Sequence, residues 1–311
     1  MDSRTSLTFL ELHLRTKRLG NYLLNQGIGK GDRVGLACGN RAEHLEALFA
    51  LAKIGAIAVP YDYHWSTLEC EAMIKFFAPK GFILEERNET KALADIVKQS
   101  VTPGRFVTVG PSEIQGGTPY QAALAAGSSD EPGVNVQGTD PYLIMITSGT
   151  TGFPKACSID HETYSLRSLN YAMTRGFGHD ERALFTLPLH FNAGRGSAMS
   201  LVYLGGTVFI QEHFDERVFL ETIQQEKITY TMLVPTLCDR LLRCGLLGRF
   251  DTSSLAFVGI TGGHLTHDSA RGIIEGLCSG LYEAYASTDL KDHDVSGLLN
   301  HFESLLIDKK N

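Results

Sequence analysis

Short apolar runs alternate with stretches of helical period along this chain, and that alternation is its strongest structural signal. Arg33–Cys38 (RVGLAC) is a continuous run of the kind buried on both faces of a sheet. Asn40 and Glu43 have capping-box spacing, and Leu45, Leu48, Phe49 and Ala52 then keep helical spacing until Gly55. Ile57–Tyr61 reads as a second strand. Ser66 and Glu69 repeat the box and open a helix that ends before Pro79. Gly81–Leu84 and Phe106–Val109 are further strands, with a helix around Ala92–Gln99 between them.

Gly127–Asp140 is rich in Gly, Ser and acidic residues and reads as a linker. Strands are expected beyond it at Tyr142–Ile146, Lys155–Ile159, Ala183–Leu187, Thr207–Gln211, Thr229–Val234, Ala256–Ile260 and Leu281–Tyr285. Helices are expected at Glu162–Thr174, Ala198–Tyr203, Glu216–Glu226, Thr236–Cys244 and Asp268–Leu277. Strands alternating with helices predict an α/β fold with mostly parallel sheets and helices on both faces. The expected division is a first α/β subdomain at 1–126, a linker at 127–140, a second subdomain at 141–289 and a divergent tail at 290–311. In the tail Val295, Leu298, Leu299, Phe302, Leu305 and Leu306 follow the spacing of an amphipathic helix.

Composition narrows the class without naming a function. The 311 residues carry a formal charge of −7, with 43% hydrophobic and 20% charged residues. Such a chain can bury a large core, and disorder, a collagen-like fibre and a coiled coil are excluded. No basic run or interleaved aromatic stripe marks a nucleic-acid partner. No segment approaches the ~18 consecutive apolar residues of a membrane span, and no apolar signal segment precedes the first charges. The six cysteines include no CxxC pair, so the expectation is small core residues in a reducing, cytoplasmic protein.

The richest local signal is Thr147-Ser148-Gly149-Thr150-Thr151-Gly152-Phe153-Pro154-Lys155, set between the apolar runs PYLIMI and KACSI. Glycines let a backbone approach an anion, hydroxyls and N–H groups donate hydrogen bonds, and Lys155 adds a positive charge suited to a polyphosphate. Walker A spacing is absent. Composition alone leaves a plain Ser/Thr/Gly surface turn equally open.

TSGTTGFPK resembles the phosphate-binding signature of the adenylate-forming enzymes, which include acyl- and aryl-CoA synthetases, peptide-synthetase adenylation domains and firefly luciferase. The resemblance extends over about Ser6 to Asp289, through Gly31–Val34 (GDRV) and AEHLEALFALAKIGAIAVPYD. It implies the family's large N-terminal domain, two stacked, mostly parallel sheets flanked by helices. It further implies that Thr147, Ser148, Gly149, Thr150, Thr151, Gly152 and Lys155 bind ATP phosphates.

Other stations follow by the same resemblance. Leu187-Pro188-Leu189-His190-Phe191-Asn192-Ala193-Gly194 is similar to the family's Pro-Leu-Phe-His segment, where an aromatic or His gates the carboxylate pocket. Here the order is swapped, so Phe191 takes the usual His position. Asn192 stands where peptide-synthetase domains place an Asp for the substrate ammonium, which argues against an amino-acid substrate. His190, Phe191, Asn192 and Gly194 are thus the implied substrate pocket, with simple packing of His190 and Phe191 left as the alternative. Gly262, Gly263 and His264 resemble the stretch lining the adenine and acyl pockets, with His264 in place of a smaller residue. An HxxH pair, His264 and His267, lacks the partners of a metal site. Tyr285-Ala286-Ser287-Thr288-Asp289 resembles Tyr-Gly-x-Thr-Glu, implying that Tyr285 stacks on adenine, Thr288 bonds the α-phosphate and Asp289 holds Mg²⁺. Ala286 for Gly and Asp289 for Glu are departures.

The implied chemistry joins a carboxylic acid to the α-phosphate of ATP and then to coenzyme A, with Lys155, Thr288 and Asp289 as catalytic residues. The match stops after Asp289. The family's β-barrel, its Thr-Gly-Asp segment with the ribose Asp and the C-terminal lysine cap have no counterpart. Three readings therefore stand at this stage. One is an acyl-CoA-synthetase-like ligase in shortened form, another a nucleotide-binding remnant without turnover, and the third an interaction module that a separate polypeptide completes; the expected macromolecular partner is a homodimer copy or such a complementing polypeptide.

Overall fold

The computed structural model describes residues 6–111, 114–147 and 155–283. They form two compact units, Met1–Leu166 and Arg167–Asn311. The expected loop residues Ser148 to Pro154, the expected nucleotide and metal residues Tyr285, Thr288 and Asp289, and the tail at 290–311 lie outside the described residues.

Unit 1 opens with α1 (Phe9–Asn25), which the sequence pattern did not single out. Thr8 and Glu11 form a full capping box there, Glu11 N–H donating to the Thr8 hydroxyl at 3.2 Å and Thr8 N–H to the Glu11 carboxylate at 2.7 Å. Then come β1 (Arg33–Ala37), α2 (Ala42–Lys53), β2 (Ile57–Pro60), α3 (Thr67–Phe77), β3 (Gly81–Glu85), α4 (Lys91–Ser100) and β4 (Phe106–Val109). A two-residue β5 (Thr118–Pro119) leads into α5 (Tyr120–Ala126), and β6 (Pro141–Thr147) and β7 (Lys155–Asp160) complete the unit's strands. The Ser66–Glu69 box forms as expected. The Asn40–Glu43 box does not: Arg41 is the N-cap of α2, without a side-chain cap, and its guanidinium engages the Glu43 carboxylate at 3.3 Å.

The seven strands are ordered β5-β4-β3-β1-β2-β6-β7. All neighbours are parallel except β6 and β7, an antiparallel pair in which Thr147 stands opposite Lys155. Strands β1 to β4 have buried residues at nearly every position, as expected of a sheet covered on both faces. One core packs Phe82, Leu84 and Phe106 against Met73, Ile74 and Phe77 of α3 and Leu93 and Val97 of α4.

Residues 127–140 therefore connect elements of one sheet, and they do so as a strap laid over α1 and α2. The Asn21 amide donates to the Ser128 and Asp130 carbonyls, both at 2.8 Å. Lys17 pairs with Glu131 at 3.0 Å, and Lys30 with Asp140 at 2.6 Å. Lys30 also donates to the Asn135 carbonyl at 3.0 Å.

Helix α6 (His161–Arg175) crosses the unit boundary. Unit 2 continues with β8 (Arg182–Phe185), α7 (Asn192–Tyr203), β9 (Thr207–Ile210), α8 (Glu216–Glu226), β10 (Tyr230–Leu233), α9 (Pro235–Arg243), β11 (Phe257–Ile260), α10 (His267–Gly276) and β12 (Leu281–Glu283). Its sheet is ordered β12-β11-β10-β8-β9 and every pairing is parallel. Leu184, Leu233, Val258, Ile260 and Leu281 face one core with Phe219, Leu220 and Ile223 of α8, Cys238 and Leu241 of α9, and Ile273 of α10. Each such apolar side chain stabilises the unit by roughly 1.5–3 kcal/mol on full burial. The opposite sheet face carries Phe185, Tyr230, Met232 and Tyr282, as the two-residue alternation of a strand requires. Helix α7 starts six residues earlier than its apolar period indicates, because Asn192 to Ser197 offer no apolar stripe.

Candidate functional site

Parallel α/β sheets bind ligands beyond the carboxyl ends of their strands, where neighbouring strands send their connections in opposite directions. In unit 2 that position lies between β8 and β10. The chain leaves β8 through α7 towards β9 on one side, and leaves β10 through α9 towards β11 on the other. The expected substrate residues His190, Phe191, Asn192 and Gly194 sit on the connection after β8. Gly262, Gly263 and His264 sit directly after β11, one strand further along.

The segment after β8 is folded tightly onto the first turn of α7. Phe191 is the N-cap residue and its N–H donates to the Pro188 carbonyl at 3.1 Å. A Cβ on Gly194 would lie 2.7 Å from the Leu187 carbonyl oxygen and 3.0 Å from that of Pro188, so only glycine fits without moving backbone. Arg195 is 1% exposed. Its guanidinium donates to the His190 carbonyl at 2.7 Å, with a longer contact of 3.4 Å to that of Leu189. His190 is buried and Phe191 exposed, with ring centroids 4.3 Å apart. Asn192 is exposed at the first position of α7.

The turn after β11 is tied to its neighbours by backbone and by one carboxylate. Thr261 N–H donates to the Leu233 carbonyl at 3.0 Å. Gly262 has φ +78°, and both it and Gly263 are exposed, leaving bare backbone at the strand end. Glu283, the last residue of β12, accepts from Leu265 N–H at 3.2 Å and lies 3.3 Å from His264 Nδ1. The His264 side chain is 84% exposed.

The equivalent crevice of unit 1, between β1 and β3, is filled by the protein's own charges. The nearly buried Glu85 carboxylate accepts from Gly39 N–H at 2.8 Å, from Arg41 at 3.2 Å and from Arg87 at 3.1 Å. Thr147 and Lys155 are also in unit 1, as the cross-strand pair that brackets the seven residues of the expected phosphate loop. Arg195, Glu283, Tyr230 and Tyr282 were not picked out from the sequence. Arginine four residues behind an N-cap, among glycines, was the one available signal.

A family model described as AMP-binding enzyme matches residues 1–290. The chain belongs to the AMP-binding enzyme family. It is 30% identical over 253 residues to the feruloyl-CoA synthase of Amycolatopsis sp, covering 81% of this chain and 48% of that protein. Identity is 26% over 257 residues to the long-chain-fatty-acid–CoA ligase FadD13 of Mycobacterium tuberculosis, covering 83% and 50%. Among solved structures, the inhibitor-bound N-terminal domain of FACL13 from M. tuberculosis aligns with a TM-score of 0.81 at 22% identity, over 91% of this chain and 69% of that one. The anthranilate CoA ligase AuaEII in complex with anthranoyl-AMP aligns with a TM-score of 0.84 at 21% identity, over 92% and 56%. At these identities the structural likeness establishes the fold, an α/β pair of mostly parallel sheets like the N-terminal domains of adenylate-forming enzymes. The chain spans about half the length of the curated relatives it matches. Among its described residues no helix is long and apolar enough to cross a membrane.

Proposed function

We propose that this chain provides the ATP- and acid-binding part of an acid–thiol ligase, one that activates a small-molecule carboxylic acid as its acyl-adenylate for transfer to coenzyme A. The observation that carries the reading is the strand-end arrangement of unit 2, found in a chain of the AMP-binding family. There the β8 segment with His190 to Gly194 and the open glycine turn at Gly262–Gly263 stand at the carboxyl ends of one parallel sheet.

In the first step a carboxylate oxygen attacks the α-phosphorus of ATP, an acyl–phosphate bond forms, and pyrophosphate leaves with the electrons of the broken bond. In the second step the thiol of coenzyme A attacks the acyl carbon and AMP leaves. The Thr147–Lys155 segment would present backbone N–H groups, hydroxyls and the Lys155 ammonium to the phosphates. The exposed Gly262–Gly263 backbone suits close approach of a flat base. The Phe191 and His190 rings would border the acid, and the neutral Asn192 offers an amino-acid ammonium no counter-charge. Asp289 is an oxygen donor of the kind that suits Mg²⁺, which when bound neutralises phosphate charge. Tyr285 and Thr288 complete the proposed nucleotide contacts.

Carboxylate-dependent ATP–pyrophosphate exchange tests the reading on the full chain. Exchange that depends on added acid and disappears in Lys155→Ala supports it. Absence of acid-dependent exchange over fatty and aryl acids overturns it.

A further inference from the structure

Resting on that reading, we propose that the acid accepted by this chain is compact, ring-sized or shorter, because the crevice between β8 and β10 ends on a floor made by Phe185, Met232 and Tyr230. These side chains share the sheet face on which α7 packs, with Ser197 Oγ 4.0 Å from Met232 Sδ. Phe185 and Tyr230 are 0% exposed, Met232 3% and Ser197 1%. An acyl group entering at the strand ends between His190 and Gly262 therefore meets Met232 one residue below the end of β10. Tyr230 lies two residues deeper, a further ~7 Å at strand rise.

The floor is braced from behind, so it does not yield as a loose apolar layer would. The Tyr230 ring packs on Phe177 at 4.7 Å and on Phe185 at 6.2 Å between centroids. Its hydroxyl shares a hydrogen bond with the Tyr282 hydroxyl at 3.1 Å. A Cβ on Gly259, between them on β11, would lie 2.8 Å from the Tyr282 hydroxyl and 3.1 Å from that of Tyr230. Beside the floor, Ser197 Oγ donates to the Tyr171 hydroxyl at 3.4 Å, and the Ser168 and Ser200 hydroxyls are bonded at 3.0 Å. A long alkyl chain pushed past Met232 would have to displace packed rings and separate paired hydroxyls, which an apolar tail cannot satisfy. A ring-sized acid needs no such displacement. Chain length is thus limited by Met232 first and Tyr230 second.

The test compares benzoate, hexanoate and dodecanoate as probes with the wild-type chain, Met232→Ala and Tyr230→Phe. Pyrophosphate exchange is one readout, and equilibrium dialysis of the labelled acids, which needs no turnover, is the other. Expected are exchange and binding about tenfold or more in favour of benzoate or hexanoate over dodecanoate. Met232→Ala is expected to shift that ratio towards dodecanoate, and Tyr230→Phe, which keeps the ring but removes the bracing hydroxyl, to shift it in the same direction by less. Dodecanoate equal to or better than the compact acids in the wild type overturns the proposal, as does an unaltered ratio in a folded Met232→Ala chain. Absence of exchange with every acid removes the ligase reading. In that case selective dialysis of the compact acids still supports the size limit, and binding of dodecanoate, or of none of the three, overturns it.

Discussion

Arg195 donates a hydrogen bond of 2.7 Å to the carbonyl of His190 from inside unit 2, so a buried cation holds the backbone on which the swapped His-Phe pair is displayed. Replacing it with Met strips the Leu189 and His190 carbonyls of this donor. A loss of about 2–4 kcal/mol in unfolding free energy is expected, read as a lower urea midpoint. Lys restores a single-point donor in place of the guanidinium fork, and Arg195→Lys is expected to recover only part of the loss.

Gly194→Ala places a methyl group 2.7 Å from the Leu187 oxygen, a contact that side-chain rotation cannot relieve. The β8–α7 segment must shift. The expected stability cost is about 1–3 kcal/mol. Thermal unfolding checks the cost, and acid-dependent pyrophosphate exchange is expected to fall more steeply than folded fraction.

Glu46 makes one pH-dependent contribution to the stability of unit 1. Glu46 is buried, which raises its pKa from the ordinary 4.5, partly offset by Arg15 at 2.8 and 3.2 Å and by the Tyr120 hydroxyl at 3.1 Å. A raised folded pKa contributes stability that is full below the unfolded value and is lost as pH rises through the folded one. Wild-type stability relative to Glu46→Gln is therefore expected to decline as pH rises above the ordinary glutamate range. Urea unfolding of both proteins at each pH checks the sign; a rise would contradict burial as the dominant cause.

His264 and Glu283 are predicted to differ in weight although their side chains lie 3.3 Å apart. His264 is exposed, and its removal as Ala is expected to cost less than about 0.5 kcal/mol. Glu283 also accepts the Leu265 N–H at 3.2 Å, so Glu283→Ala is expected to cost about 1 kcal/mol. A double-mutant cycle in urea separates the two contributions.

The strands were legible because burial on both faces writes continuous apolar runs such as Arg33–Ala37 and Tyr230–Leu233. Capping signals were less dependable: Ser66 with Glu69 closed as read, whereas Glu43 was taken by Arg41. The first two turns of α7 were illegible because Gly194, Gly196 and Asn192 disfavour helix locally, and tertiary packing of Arg195 and Ser197 overrides that preference. Antiparallel pairing of β6 with β7 was equally hidden, since direction is decided by partners distant in sequence. At the site, the glycine turns and the His-Phe segment were visible as motifs. Tyr230 and Tyr282 were not, because a tyrosine in a strand has the same local signature whether it walls a crevice or fills a core.

The strap over α1 and α2 changes what a break in the chain would mean. Residues 127–140 have the composition of a flexible tether, yet Asn21, Lys17 and Lys30 grip them at five points. Strands β6 and β7 beyond it belong to the same sheet as β1 to β5. A protease nick within the strap would therefore yield two fragments that continue to co-migrate as a single particle. The same position is a natural place to divide the protein into halves that reassemble when expressed separately.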